Sequence, residues 1–334
     1  MTQHSPLIGV IGAGAWGTAL ATVAARSGKP VVLWSRSRHT ASELNATRKH
    51  PRLRGATLPS AIRATAEIRD LTPCQMIILT PPAQALRSIM ADFAPWLPPG
   101  NVPIVVAAKG MELGTGKFMT DVLSEVCPQA DAYILSGPSF AADVMLEKPT
   151  AVTLAGRTLE GAAALAASLS LPVFRIYSSA DRLGVQIGGA IKNVLAIACG
   201  ISEGKSLGDS ARAALTTRGF TEMLRLGDAM GADPATLTGL SGLGDLILTC
   251  SSLQSRNFSF GIAVGRSDPP AARAAMRGMT IEGEATAKAI MDVARKCGVD
   301  LPLCTAVNEI LECRIGVDAA ISQLLNRPLR PERG

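Results

Sequence analysis

A single charge, Lys192, stands in the twenty-residue run Leu183–Ser202, which is otherwise free of charged side chains. A helix that is apolar nearly all round belongs in a core. A buried ammonium group is costly unless it is paired or its pKa falls. A lysine in that position can give and take a proton near neutral pH, which is general acid–base chemistry. The alternative is a lysine whose stem lies in the core while its head reaches water. Gly188 and Gly189, one helical turn earlier, are expected to leave space for a ligand. Few other groups compete for the proton. The only histidines are His4, His39 and His50, all in the first sixth of the chain. The only tyrosines, Tyr133 and Tyr177, are followed four residues later by Gly137 and Asp181, so a Tyr-x-x-x-Lys pair is excluded.

Three further segments carry polar groups in apolar settings. Asp245 stands in Gly242-Leu-Gly-Asp-Leu-Ile-Leu-Thr-Cys250 and needs a partner, which Lys192 can supply. Ser255-Arg256-Asn257 groups a hydroxyl, a guanidinium and an amide, all suitable donors to a phosphate. The same three residues also read as a helix N-cap serine followed by a surface arginine. Lys109 follows an apolar β-type run, and Ser136-Gly-Pro-Ser-Phe-Ala141 follows another. Side chains at the carboxyl ends of parallel strands point into the crevice where doubly wound folds bind ligands.

The stretch Gly12-Ala-Gly-Ala-Trp-Gly17 fits Gly-x-Gly-x-x-Gly between an apolar run and an alanine-rich helical stretch. In that context it predicts a dinucleotide loop formed by Gly12, Gly14, Ala15 and Gly17. Gly12 makes the turn, Gly14 lets the backbone approach a pyrophosphate, and Gly17 packs helix on strand. The bland alternative is a structural turn without nucleotide. After the second β-type run the chain reads Trp34-Ser-Arg-Ser-Arg38, with no acid until Glu43. An acid there bonds a ribose 2′-hydroxyl, whereas Arg36 suits a 2′-phosphate, so NADP(H) is favoured and NAD(H) allowed. Otherwise Arg36 and Arg38 are solvated loop charges.

These groups need elements to hold them. Short β-type runs at 7–11, 31–34, 76–79, 104–107, 133–135, 151–154 and 173–176 alternate with helical stretches, which predicts a parallel, doubly wound sheet. From Asp181 onward long helical patterns take over, at 182–200, 210–230 and 283–297. We therefore expect an α/β chain: an N-terminal Rossmann-type domain over 1–180 and an all-helical domain over 181–334. The 47% hydrophobic content excludes intrinsic disorder, and with 4% aromatics the core must rely on close helix and backbone packing. The net charge of +6 suits a small anionic ligand. Scarce aromatics and the lack of a basic run weigh against nucleic acid. The seven cysteines form no Cys-x-x-Cys pair and read as reduced thiols of a cytosolic protein, with no metal site. No targeting leader or uninterrupted membrane-length apolar run is expected.

Taken together, the motifs resemble the bacterial-type NAD(P)-dependent glycerol-3-phosphate dehydrogenases over nearly the whole chain. The resemblance is carried by 12–21, Lys109-Gly110, 136–141, Lys192-Asn-Val-Leu-Ala-Ile-Ala-Cys-Gly200, 242–250, 255–257 and Glu282-Gly283. It implies reversible reduction of dihydroxyacetone phosphate to sn-glycerol 3-phosphate by a cytoplasmic enzyme that feeds phospholipid synthesis. Lys192 is implied as the proton carrier, with Lys109 and Asp245 assisting. Substrate contacts are implied for Lys109, Gly137, Ser139, Lys192, Asp245, Ser255, Arg256 and Asn257. Cofactor contacts are implied for Trp16, Arg36, Lys109, Ala141, Arg256, Thr280 and Glu282. No membrane insertion is implied, and a homodimer is compatible with the reading. Two-domain reductases of the 6-phosphogluconate and ketopantoate types share the architecture, but no segment matches either site. A catalytically idle NADP-binding sensor would need Lys192 or Asp245 lost, and both are present. The chain departs from the family's Asn-x-x-Tyr-Leu-Pro-Gly, which reads Lys49-His-Pro-Arg-Leu-Arg-Gly55 here. It has Thr80-Pro-Pro82 in place of Val-Pro-Ser, and Thr280 stands where a small apolar residue is usual.

Overall fold

The computed structural model describes residues 7–97 and 100–328. His4 and both chain ends lie outside them. The first lobe is one sheet of eight strands: β1 (Ile8–Ile11), β2 (Val31–Trp34), β3 (Ile62–Thr65), β4 (Met76–Leu79), β5 (Pro103–Val106), β6 (Asp131–Ser136), β7 (Thr150–Ala155) and β8 (Phe174–Ser179). Their order is β3-β2-β1-β4-β5-β6-β7-β8. The strand order reverses between β1 and β4, and such a switch point is where these sheets bind ligands. β1, β2 and β4 are buried along their whole length, as expected of parallel strands covered on both faces.

Six helices cover the sheet: α1 (Ala15–Arg26), α2 (Arg38–Thr47), α3 (Leu86–Phe93), α4 (Met119–Val126), α5 (Ala141–Met145) and α6 (Leu159–Leu169). Separate apolar clusters fill the two faces, one under Leu20 and Val23, the other under Leu86 and Phe93.

The expected parallel, doubly wound sheet is present with one correction: β6 and β7 pair antiparallel, with Leu135 opposite Leu154. The β6–β7 connection, residues 137–149, carries only the five-residue α5, whereas a parallel crossover usually takes a longer helix. Strand β3 was not among the expected runs; only four residues long and with Arg63 exposed in its middle, it carries little apolar signal.

Among the described residues the second lobe contains helices and no strand. Its elements are α7 (Arg182–Gly204), α8 (Asp209–Met230), α9 (Pro234–Thr238), a π-helical turn at Leu240–Gly244, α10 (Asp245–Cys250), α11 (Arg256–Arg266), α12 (Pro269–Ala275), α13 (Glu282–Cys297), α14 (Pro302–Leu311) and α15 (Val317–Leu325). Helix α7 is the axis of this lobe. It is long and apolar enough to cross a membrane, yet its apolar stretch is entirely buried inside the fold. It lies against α11 at backbone distance: a Cβ added to Gly200 would meet the Phe258 carbonyl oxygen at 2.1 Å and the Gly261 Cα at 2.9 Å. Close backbone packing therefore takes the place of aromatic bulk.

Candidate functional site

The glycine loop connects β1 to α1. Gly12 has φ +112°, a conformation that L side chains rarely adopt. A Cβ on Gly17 would sit 1.8 Å from the Gly12 carbonyl oxygen, so only glycine allows that approach. Gly14 differs: a Cβ there would meet nothing within 4 Å, and the residue is exposed at the α1 N-terminus. No side chain caps that helix end. Free backbone N–H groups at an open helix N-terminus form an anion seat, so the loop fits the pyrophosphate of a dinucleotide. Ala15 opens α1, and Trp16 is half-buried with no partner for its indole N–H among the described residues.

At the end of β2, Arg38 donates to Glu67 Oε1 at 2.7 Å and is accounted for. Arg36 is exposed and has no ion pair among the described residues.

Lys192 is 7% exposed, which rules out the snorkelling alternative. Its Nζ donates to Asp245 Oδ1 at 2.7 Å and to Thr249 Oγ1 at 2.9 Å. The Thr249 hydroxyl donates in turn to the Asp245 carbonyl at 2.6 Å, which leaves a lone pair free for the lysine. Lys109, at the carboxyl end of β5, donates to the other oxygen, Asp245 Oδ2, at 2.6 Å and to the Gly137 carbonyl at 3.1 Å. One buried carboxylate therefore serves two ammonium groups, one from each lobe. Burial pushes the Lys192 pKa down to about 8, opposed by the Asp245 charge and reinforced by Lys109. Burial pushes Asp245 up, but the two lysines outweigh it and hold the carboxyl below its usual range.

Two neighbours of this cluster escaped sequence reasoning. Thr249 lies four residues after Asp245, and i,i+4 spacing on a helix places both on one face. Asn193, next to Lys192, donates to the Gly189 carbonyl and accepts from Asn257 Nδ2 at 2.8 Å. Asn257 Oδ1 accepts from the Gly283 N–H at 3.0 Å, so the two asparagines join α7, α11 and the start of α13.

Gly188 and Gly189 require a correction. They do not open room for a ligand; they let protein approach. A Cβ on Gly188 would lie 2.4 Å from the Ser241 carbonyl oxygen, and one on Gly189 would lie 2.9 Å from Ser136 Oγ.

Ser255 is the N-cap of α11, accepting from the Phe258 N–H at 3.2 Å, so the capping reading describes it. Arg256 is the first helical residue, exposed and without an ion pair among the described residues. Ser139 Oγ donates to the Gly137 carbonyl at 3.0 Å, and Ala141 opens α5. Thr280 is exposed just ahead of α13. Glu282, the first residue of α13, accepts from the Ala83 N–H at 3.2 Å and so ties the helical lobe to the segment after β4. Burial pushes its pKa up to about 6, while the Ala83 bond and the Arg256 charge oppose the rise.

A Rossmann-type sheet with an open anion seat, joined to a helical lobe with a buried lysine–carboxylate–lysine cluster, is the architecture of a two-lobed dehydrogenase. Two family models divide the chain: the N-terminus of NAD-dependent glycerol-3-phosphate dehydrogenase matches residues 7–162, and its C-terminus matches residues 181–322. A glycerol-3-phosphate dehydrogenase [NAD(P)+] of Azorhizobium caulinodans is 51% identical, over 97% of this chain and 98% of that one. One from Bradyrhizobium sp. BTAi1 is 52% identical, over 97% and 98%. The crystal structure of glycerol-3-phosphate dehydrogenase from Coxiella burnetii superposes with a TM-score of 0.91 at 37% identity, covering 97% of this chain and 100% of that one. The chain belongs to the NAD-dependent glycerol-3-phosphate dehydrogenase family.

Proposed function

We propose that this chain catalyses the reversible reduction of dihydroxyacetone phosphate to sn-glycerol 3-phosphate, with NADPH preferred over NADH, in the cytoplasm and in support of glycerophospholipid synthesis. The observation that carries the reading is the Asp245 carboxylate shared by Lys192 and Lys109. Two cations against one anion leave a net positive charge in a low-dielectric place. Such a place stabilises the oxyanion that develops as a ketone is reduced.

The glycine loop holds the dinucleotide pyrophosphate, with Trp16, Arg36, Ala141, Thr280 and Glu282 along the rest of the cofactor. Arg36, with no acid partner among the described residues, takes the 2′-phosphate. A nicotinamide held by this chain would supply the hydride for reduction and accept it in oxidation. Lys192 gives its proton to the new alkoxide oxygen and, in the reverse direction, takes it back as a neutral amine. A pKa near 8 suits both directions close to neutral pH. Asp245 and Thr249 fix the Lys192 ammonium, while Lys109 adds positive charge beside the same oxygen. Arg256, with the Ser255 hydroxyl hydrogen and the remaining amide hydrogen of Asn257, grips the substrate phosphate. Gly137 and Ser139 border it. Remote binding at the phosphate is then converted into orientation at the carbonyl. We place the division between lobes at 180/181, and the working unit is compatible with a homodimer.

The test is NADPH oxidation followed with dihydroxyacetone phosphate and with unphosphorylated dihydroxyacetone. The reading expects rapid turnover of the first and weak turnover of the second. Equal rates would remove the phosphate grip, and no turnover of either would remove the assigned reaction.

A further inference from the structure

Ser136 ends β6 and is only 3% exposed, and its buried hydroxyl has no hydrogen-bond partner among the described residues. A buried hydroxyl left unpaired costs free energy, and native folds almost always satisfy it. The residue lines a cavity with about 10 Å³ open to the centre of a water molecule, shared with Lys109, Val185, Gln186 and Gly189. That is room for one water. Gln186 is also buried, and its Oε1 accepts from the Thr120 N–H at 3.0 Å. This bond fixes which end of the amide is which and leaves the NH₂ group to donate.

Lys109 is itself part of the cavity wall. The point where a Gly189 Cβ would stand is 2.9 Å from Ser136 Oγ, 3.5 Å from Lys109 Cγ and 3.7 Å from Lys109 Cδ. Glycine at 189 thus lets the hydroxyl and the stem share one niche. Ser136 also leads into Gly137, whose carbonyl accepts from Lys109 Nζ. Whatever holds Ser136 therefore holds one of the two protein acceptors of that ammonium.

We propose that this cavity binds one buried water between Ser136 Oγ and Gln186 Nε2, and that Ser136, Gln186 and the water form a positioning layer that aims Lys109 at Asp245. Neither residue touches the reacting atoms; both act through Lys109. The proposal rests on the reading of Lys109 as a site residue.

The first test is a high-resolution crystal structure of the unmodified chain. It should show one ordered water within hydrogen-bond distance of both Ser136 Oγ and Gln186 Nε2. The second is Ser136→Ala, which should lower kcat about tenfold, short of the hundredfold that a 1 Å misplacement can cost. The KM for NADPH should stay unchanged, and kcat should be referred to folded protein, so that a merely structural role leaves it unmoved. A dry cavity overturns the proposal, and so does an unchanged kcat with the water in place. If Ser136→Ala does not fold, the crystal structure of the unmodified chain decides. Lys109→Met separates the two readings. Near-normal turnover in that variant defeats the assignment of Lys109 itself. Lost turnover there beside an unaffected Ser136→Ala defeats only the positioning layer.

Discussion

The glycine loop and the lysine cluster are built at opposite scales of sequence distance. The loop is six consecutive residues, and its geometry follows from what each glycine must avoid. The cluster draws together groups 53 and 136 residues apart, from α7, α10 and the end of β5. A local device works by leaving backbone bare, whereas a device assembled from distant segments works by burying charge and balancing it. The first can fail without unfolding the protein. The second cannot lose its carboxylate without leaving the buried Lys192 ammonium without its counter-charge.

The largest effect should therefore come from Asp245→Ala. Removing one partner of a buried ion pair costs about 3–5 kcal/mol, because the remaining charge is left uncompensated. Chemical denaturation should show a loss of that size, together with loss of turnover. A variant as stable as the parent would mean that the two lysines do not depend on Asp245.

Within the loop, two alanine substitutions should separate fold from binding. Gly17→Ala drives a methyl group into the Gly12 carbonyl and should lower both Tm and cofactor affinity. Gly14→Ala meets open space and should leave Tm alone. It should still weaken cofactor binding by about 1.5–3 kcal/mol, the scale of hydrogen bonds to a charged group. Parallel melting and cofactor titration of both variants check the contrast, and identical behaviour would erase it.

Arg36→Asp should cost NADPH roughly 1.5–3 kcal/mol of binding and leave NADH nearly untouched. Equal losses for both cofactors would show that Arg36 does not read the 2′-phosphate.

The smallest expected effect is the pH dependence. The Lys192 pKa is depressed to about 8, so the charged form prevails below that pH and the neutral amine above it. Reduction needs the ammonium form, and its kcat should fall as pH rises through about 8. Oxidation needs the amine, and its kcat should rise through the same range. Profiles of kcat against pH in both directions test the sign, and parallel profiles would contradict it.

Much of this contrast was legible in the amino-acid sequence, though unevenly. The loop could be read residue by residue because its constraints are local. The isolation of Lys192 in an apolar run predicted its burial, and the isolation of Asp245 predicted that the two would pair. That Lys109 shares the same carboxylate could not be read, because nothing in the sequence brings the end of β5 against α10. Gly188 and Gly189 were misread for a related reason: a glycine that admits a ligand and one that admits a backbone look alike until the neighbour is known. The antiparallel pairing of β7 was hidden because strand direction is not written in the strand's own residues. The contact of Glu282 with Ala83 joins the lobes across 199 residues and left no periodic trace.

The central claim is that the proton moves on Lys192 while the cofactor is held elsewhere, and Lys192→Met tests it most directly. The variant removes the charge and keeps an unbranched side chain of similar bulk, so the packing of α7 should survive. Turnover and NADPH affinity are measured on the same folded protein. The account predicts that turnover falls at least about a hundredfold, the lower range for losing a general acid–base group, while NADPH affinity stays at the parent value. Near-normal turnover with an intact thermal transition would contradict it and leave Lys192 as a buried structural lysine.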